Sequence, residues 1–206
     1  MLRTTIVQDL LIIPSDVYRS TSEDLYQYVC YPKKTTITTK NTNSYWYINK
    51  SVAGCFTGNG SEFSDFLVCV EILGYTPETR TSSYSRGTDL PYVNGCSTKQ
   101  LINPARLGDP TWQLLHIPPM CMEQTHHIHS TGRVVYVIDG EGVSIAGTPE
   151  NSTKYELTPG MCIILPKMVP HHFTAGPKGL LVAPLHIFSS TSLENQHPMF
   201  HGTHMV

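Results

Sequence analysis

Three histidines in the second half of this 206-residue chain carry its most informative chemistry. His127 and His129 lie two apart in His126-His127-Ile128-His129, and His171 follows the Pro-bounded segment Pro166-Lys167-Met168-Val169-Pro170. In an extended chain, side chains two apart share a face, so His127 and His129 point together while His126 points away. His171 and His172 divide in the same manner, and a neighbouring strand can bring His171 to the same point. Three imidazoles with open positions suit a divalent transition metal: Fe(II), Zn, Ni, Cu or Mn. A polar strand with unrelated surface histidines remains the plain alternative, because an H-x-H pair alone is a weak signal.

The elements that would hold this cluster read as short strands. Thr98–Ile102 and Trp112–Ile117 come first. His126–His129, Arg133–Ile138, Val143–Ala146, Lys154–Leu157, Met161–Leu165, His171–Thr174 and Leu180–Phe188 follow, with turns at Asp139–Gly142 and Thr158-Pro159-Gly160. Many short strands punctuated by turns predict an all-β sandwich or barrel. Arg133, Val135 and Val137 share an inward face, and Tyr136 faces outward.

The first 96 residues read as a scaffold. Strands are expected over Thr35–Thr39 and Ser44–Ile48 and loops over Gly54–Gly60 and Thr81–Gly95. The helical spacing of Phe63, Phe66, Leu67, Val70 and Leu73 favours a helix capped by Ser61 and ended by Gly74, although the same stretch also alternates β-branched residues as a strand would. A degenerate half-barrel in this region stays open. All ten histidines lie beyond residue 115, which points to two functional halves.

At the motif level the chain resembles the cupin superfamily. The first cupin motif, G-x5-H-x-H-x3-4-E-x6-G, aligns with Cys121, His127, His129, Arg133 and Gly140. The second, G-x5-P-x-G-x2-H-x3-N, aligns with Gly160, Pro166, Met168, His171 and Ala175. The resemblance covers roughly residues 97–188. It implies a jelly-roll barrel (a double-stranded β-helix) over 97–190, an N-terminal extension over 1–96 and a C-terminal tail over 191–206. It also implies a metal held by His127, His129 and His171, with Fe(II) favoured.

Arg133 stands where the family places its acidic ligand. A guanidinium has no lone pair to give a metal, so two explanations compete. One is a three-histidine iron site, as in thiol dioxygenases and some diketone-cleaving cupins, with Arg133 clamping an anionic substrate. The other is a barrel that has lost its metal. The first makes the chain a dioxygenase-like enzyme. A metal-dependent isomerase or lyase and a non-catalytic ligand-sensing barrel are the alternatives.

Several flanking residues are weighed beside these. His116 and His186 lie in expected strands, where either could line the cavity as a proton shuttle or extra ligand, a satisfied interior histidine being the commoner outcome. Glu123 and Gln124 are expected as exposed turn residues rather than outer-shell groups. Cys121 and Cys162 are expected near the core, and His197, His201 and His204 in the tail.

Composition sets the remaining expectations. Hydrophobic residues are 40% and charged residues 15%, with a formal net charge of −2. That balance fits a packed globular protein and gives no electrostatic footprint for nucleic acid. No apolar run approaches the length of a membrane span, and Leu10–Ile13 is too short for a secretory leader. The six cysteines form no C-x-x-C pair, which suits a reduced, cytoplasmic setting. A small anionic molecule and a second copy of the chain, as a homodimer, are the expected partners.

Overall fold

The computed structural model describes residues 10–21, 26–84, 87–105 and 108–188. The first half holds β1 (Tyr18–Arg19), β2 (Tyr28–Tyr31), β3 (Ile37–Thr38), β4 (Ser44–Ile48), β5 (Val52–Thr57), β6 (Glu62–Phe63), β7 (Val68–Ile72) and β8 (Arg80–Ser83). The second holds β9 (Leu90–Pro91), β10 (Ser97–Ile102), β11 (Thr111–Ile117), β12 (Arg133–Thr148), β13 (Asn151–Leu157), β14 (Cys162–Leu165) and β15 (His171–His186). A 3-10 turn at Val93–Gly95 is the one helical element among the described residues. The all-β expectation therefore holds.

Two antiparallel sheets organise the chain. The first runs β1-β2-β7-β4-β5-β8, and the second runs β13-β12-β15-β11-β10-β9, with β14 also on β12. In the second sheet β12 and β15 pair from Arg133↔His186 to Ala146↔His171, with register shifts at Val137/Asp139 and Gly140/Gly142. Their halves have different outer neighbours. Residues 133–136 pair with β14 and 142–148 with β13. Residues 180–186 pair with β11, while Thr174 and His171 bridge to Met122 and His127. Each long strand thus serves both layers of an open jelly roll.

The turn expected at Asp139–Gly142 is a bulged corner inside β12, and β15 likewise joins the two expected strands 171–174 and 180–188. Glycine makes the corner passable. Gly140 has φ +84°, and a Cβ there would sit 2.2 Å from the Gly179 carbonyl oxygen, well inside contact distance.

Three cores follow from strand alternation. Leu115, Ile117, Val135, Val137, Ile163, Leu165, Phe173 and Val182 fill the jelly roll. Its outer face offers Trp112, Leu114, Val134, Tyr136, Ile164 and Leu185, which meet Cys30, Trp46, Ile48, Val68, Val70 and Ile72 of the first sheet. Tyr136 does face out of the jelly roll, but against this sheet rather than solvent. The first sheet's other face packs Tyr45, Phe66 and Cys69 beneath the β3–β6 ribbon.

The helix expected from Ser61 to Gly74 is absent. Residues 68–72 are β7, hydrogen-bonded between β2 and β4. Val68, Val70 and Ile72 turn to one core and Cys69 to the other. Pairing on both edges and burial on both faces override an apolar spacing compatible with either period.

The loop expected at Gly54–Gly60 is partly β5. Gly54 lies in a strand because the Tyr47 ring crosses it, 2.6 Å from where a Cβ would stand. The loop expected over Thr81–Gly95 contains the end of β8, β9 and the 3-10 turn. All six cysteines are free thiols, Cys162 buried and Cys121 half-buried. No helix is long and apolar enough to cross a membrane among the described residues.

Candidate metal centre

His127, His129 and His171 converge inside the jelly roll. One ring nitrogen from each lies within 4.8 Å of the others. The segment before β12 brings the first two there. It runs antiparallel to the start of β15, with Glu123 N–H donating to Phe173 O at 2.9 Å and His127 N–H to His171 O at 3.1 Å. It is not the regular strand expected over 126–129: His127 makes a single bridge to His171. The alternation nonetheless survives. His126 and His172 turn to the other side and meet each other, Nδ1 to Nδ1 at 2.7 Å.

Backbone carbonyls fix the ring orientation. His127 Nδ1 lies 3.1 Å from Thr125 O, and His171 Nδ1 lies 2.8 Å from Val169 O. A carbonyl oxygen only accepts, so each Nδ1 carries the proton and leaves Nε2 with a free lone pair. The Nε2 atoms of His127 and His129 are 3.2 Å apart. Two nitrogens on one metal at about 2.1 Å each are separated by roughly 3.0–3.4 Å between the octahedral and tetrahedral angles. That pair is therefore already at metal-binding spacing, and the His171 nitrogen lies within 4.8 Å of both.

The environment keeps the imidazoles neutral. Burial, then the positive charge of Arg133, lowers His129 to about 2. Burial lowers His171 to about 4 against the opposing Val169 hydrogen bond. It also lowers His127, opposed by Thr125. No protons need be displaced from these rings at neutral pH before a metal binds.

The cluster opens into a cavity of about 280 Å³. Leu115, Val135, Leu165 and Phe173 give it apolar walls, and Glu123, Arg133 and His186 are its remaining titratable groups of note. Arg133 is buried, and its Nη1 donates to Thr131 Oγ1 at 2.8 Å while Nε has no partner. Burial lowers its pKa to about 10, so it remains a cation at neutral pH. His186, opposite Arg133 in the β12–β15 pairing, is held well below the ordinary imidazole value by burial and by Arg133.

The structure corrects one expectation about the site. Glu123 is not an exposed turn residue: it is 8% exposed, lines the cavity and has an unpartnered Oε2. The signal was available, because counting back by twos from His129 and His127 reaches residue 123 on the same face. His186 lines the cavity, whereas His116 does not. Gln124 also borders the cavity, with Tyr92 Oη donating to its Oε1 at 2.9 Å. His197, His201 and His204 lie outside the described residues.

Comparisons with known proteins place this geometry in context. Residues 113–183 match the family model of the cupin domain. No curated protein matches the chain. Among solved structures, the 11S allergen of Cocos nucifera aligns with a TM-score of 0.54 and 7% identity, over 95% of this chain and 94% of that one. Salicylate 1,2-dioxygenase from Pseudoaminobacter salicylatoxidans, as adducts with gentisate, aligns at 0.53 and 11% identity over 85% and 70%. Lactobacillus farciminis oxalate decarboxylase, as a formate complex, aligns at 0.52 and 9% over 97% and 94%. At such identities the likeness is one of fold, and it runs through the first sheet as well as the jelly roll.

Proposed function

Because this chain carries a cupin domain of the cupin superfamily, we propose that it is a metal-dependent small-molecule enzyme of the three-histidine, non-haem iron dioxygenase type, acting on an anionic substrate. The observation that carries this reading is a set of three imidazoles, two of them oriented by backbone carbonyls, at a cavity whose fourth family position is a buried cation, Arg133. Fold likeness adds nothing to the choice of chemistry, since the neighbours include an allergen and enzymes alike.

His127, His129 and His171 would hold the metal on one side and leave the cavity side open. Fe(II) bound there would supply a centre at which substrate and dioxygen are held together and exchange electrons. Arg133 would bind the substrate's negative end by a forked contact through the edge that Thr131 leaves free. A guanidinium beside a divalent cation in an apolar cavity is electrostatically costly unless an anion lies between them, which is why the substrate is read as an anion. Leu115, Val135, Leu165 and Phe173 exclude water around the reacting atoms.

The test is elemental analysis of the purified protein followed by dioxygen uptake with small carboxylates. Stoichiometric iron with substrate-dependent uptake is the expected result. Zinc, nickel or manganese without uptake would move the assignment to a Lewis-acid isomerase or lyase, and failure to retain any ion would end it.

A further inference from the structure

Two buried side chains of opposite chemical character face the same cavity without meeting. Glu123 and Arg133 are 8% and 7% exposed, and each has a buried atom with no partner: Oε2 of the acid and Nε of the guanidinium. No ion pair joins them among the described residues; the one described pair, Lys178–Glu141, is on the surface. They come from different parts of the wall. Glu123 is tied through its backbone to Phe173 in the first half of β15, and Arg133 lies opposite His186 at the other end of that strand. Buried polar atoms in proteins are generally matched by partners; of the buried side-chain atoms without one, those of Glu123 and Arg133 line this cavity, where a ligand could complete them.

We propose that Glu123 and Arg133 are the two poles of one substrate subsite, selecting a small carboxylic acid that also bears a carbonyl or hydroxyl oxygen. Arg133 takes the carboxylate, and Glu123, as the neutral acid, donates a hydrogen bond to the second oxygen. The proposal rests on the anionic-substrate reading above and adds the second functional group. An ionised Glu123 would repel such a ligand, whereas a neutral acid in an apolar wall is a strong donor.

The electrostatics agree with that role. Burial raises Glu123 to about 7, opposed by the backbone N–H of Phe173. The titratable groups around it are Tyr92 and Cys96 from the segment leading into β10, Arg133, and the imidazoles of the cavity. Tyr92 is raised, Cys96 is raised to about 11, Arg133 stands at about 10, and the four imidazoles are lowered. Between pH 6 and 8.5 Tyr92 and Cys96 stay neutral and Arg133 stays cationic, whereas Glu123 passes through its own pKa.

The experiment is calorimetric titration of the metal-loaded and metal-free protein with pentanoate, 2-oxopentanoate, 3-hydroxypentanoate and 4-oxopentanoate at pH 6 and 8.5. At least one oxygenated acid is expected to bind tenfold or more tightly than pentanoate at pH 6, losing most of that preference at pH 8.5. Glu123→Gln, which keeps a donor but cannot ionise, should retain the preference at both pH values. Glu123→Leu should abolish it, and Arg133→Met should weaken all four acids alike. Equal binding of all four acids by the wild type, or a preference that Glu123→Leu leaves intact, would overturn the subsite. Metal content measured on the same samples reports separately on the metal reading: a preference present without metal uptake supports the subsite and sinks the metalloenzyme.

Discussion

Glu71 in β7 and Glu123 in the segment before β12 are both buried carboxyls, and the protein treats them in opposite ways. In the first sheet Glu71 accepts hydrogen bonds from Asn43 Nδ2 at 2.6 Å, Tyr45 Oη at 3.0 Å and Tyr31 Oη at 2.9 Å. Burial and this carboxylate push both phenols up, so they stay neutral donors. Aromatic rings pack nearby, with Phe63 edge-on to Phe56 and Tyr47 and tilted against Phe66. In the jelly roll Glu123, Arg133 and three imidazoles surround a cavity, and Glu123 Oε2 and Arg133 Nε lack partners. A polar group that serves the fold is saturated by the fold, whereas one that serves a ligand is left open. Both oxygens of Glu71 are partnered within the first sheet, whereas Glu123 keeps one oxygen without a partner at its cavity.

The comparison breaks most sharply at the imidazoles. Replacing His127 or His171 with alanine should abolish stoichiometric metal content, measured by plasma mass spectrometry, while the circular dichroism of the fold persists; full metal retention would remove them as ligands. On the other side, Glu71→Leu should leave metal content unchanged but strand three donors in the first sheet. At about 1–3 kcal/mol for each unsatisfied group, a loss of about 3 kcal/mol or more is expected in denaturant titration. A loss below about 1 kcal/mol would mean that the cluster is not the structural counterpart described here.

Charge at the cavity gives the next effect. Arg133→Glu restores a carboxylate at the family's ligand position and should tighten metal binding at least tenfold while removing turnover of anionic substrates. Unchanged turnover would rule out the clamp.

Proton linkage sharpens the comparison further. His171 falls from 6.5 to about 4 in the folded chain. Above pH 6.5 the ring is neutral whether folded or unfolded and has no effect on stability. As pH falls from 6.5 towards 4 the unfolded chain binds the proton first, so the metal-free protein loses stability, by up to about 3 kcal/mol from this group. The slope should flatten in His171→Ala, and a melting temperature indifferent to pH over that range would contradict the burial of the ring.

The smallest effect concerns the loop that delivers His171. Met168 holds φ +60° and is 57% exposed. That left-handed conformation costs a residue with a Cβ about 1 kcal/mol. Met168→Gly should therefore raise stability by up to about 1 kcal/mol without altering metal content; a decrease would mean that the side chain makes a contact worth more than the strain.

Much of the second half was legible in the chain itself. Local periodicity identified β10, β11, β13 and β14, and two-residue spacing separated His127 and His129 from His126. The family's glycine position at Met168 is explained by that residue's backbone angle. These are local facts, governed by alternation, turn chemistry and short spacings. The corner in β12 was misjudged as a turn because Asp139-Gly140-Glu141-Gly142 has turn composition, and only pairing with β15 on the same side keeps the strand continuous through it.

What the sequence could not decide depends on atoms distant along the chain. The segment 61–74 has an apolar spacing that fits a helix, and β2 and β4 on either side make it a strand. Glu123 reads as a polar turn residue, yet it is buried and its backbone is bonded to Phe173, fifty residues on. Tyr136 was placed outward correctly, yet that outward face is buried because another sheet covers it. Side-chain type and spacing determined which groups could bind a metal; tertiary packing decided which of them lost their water, and with it their charge and their partners.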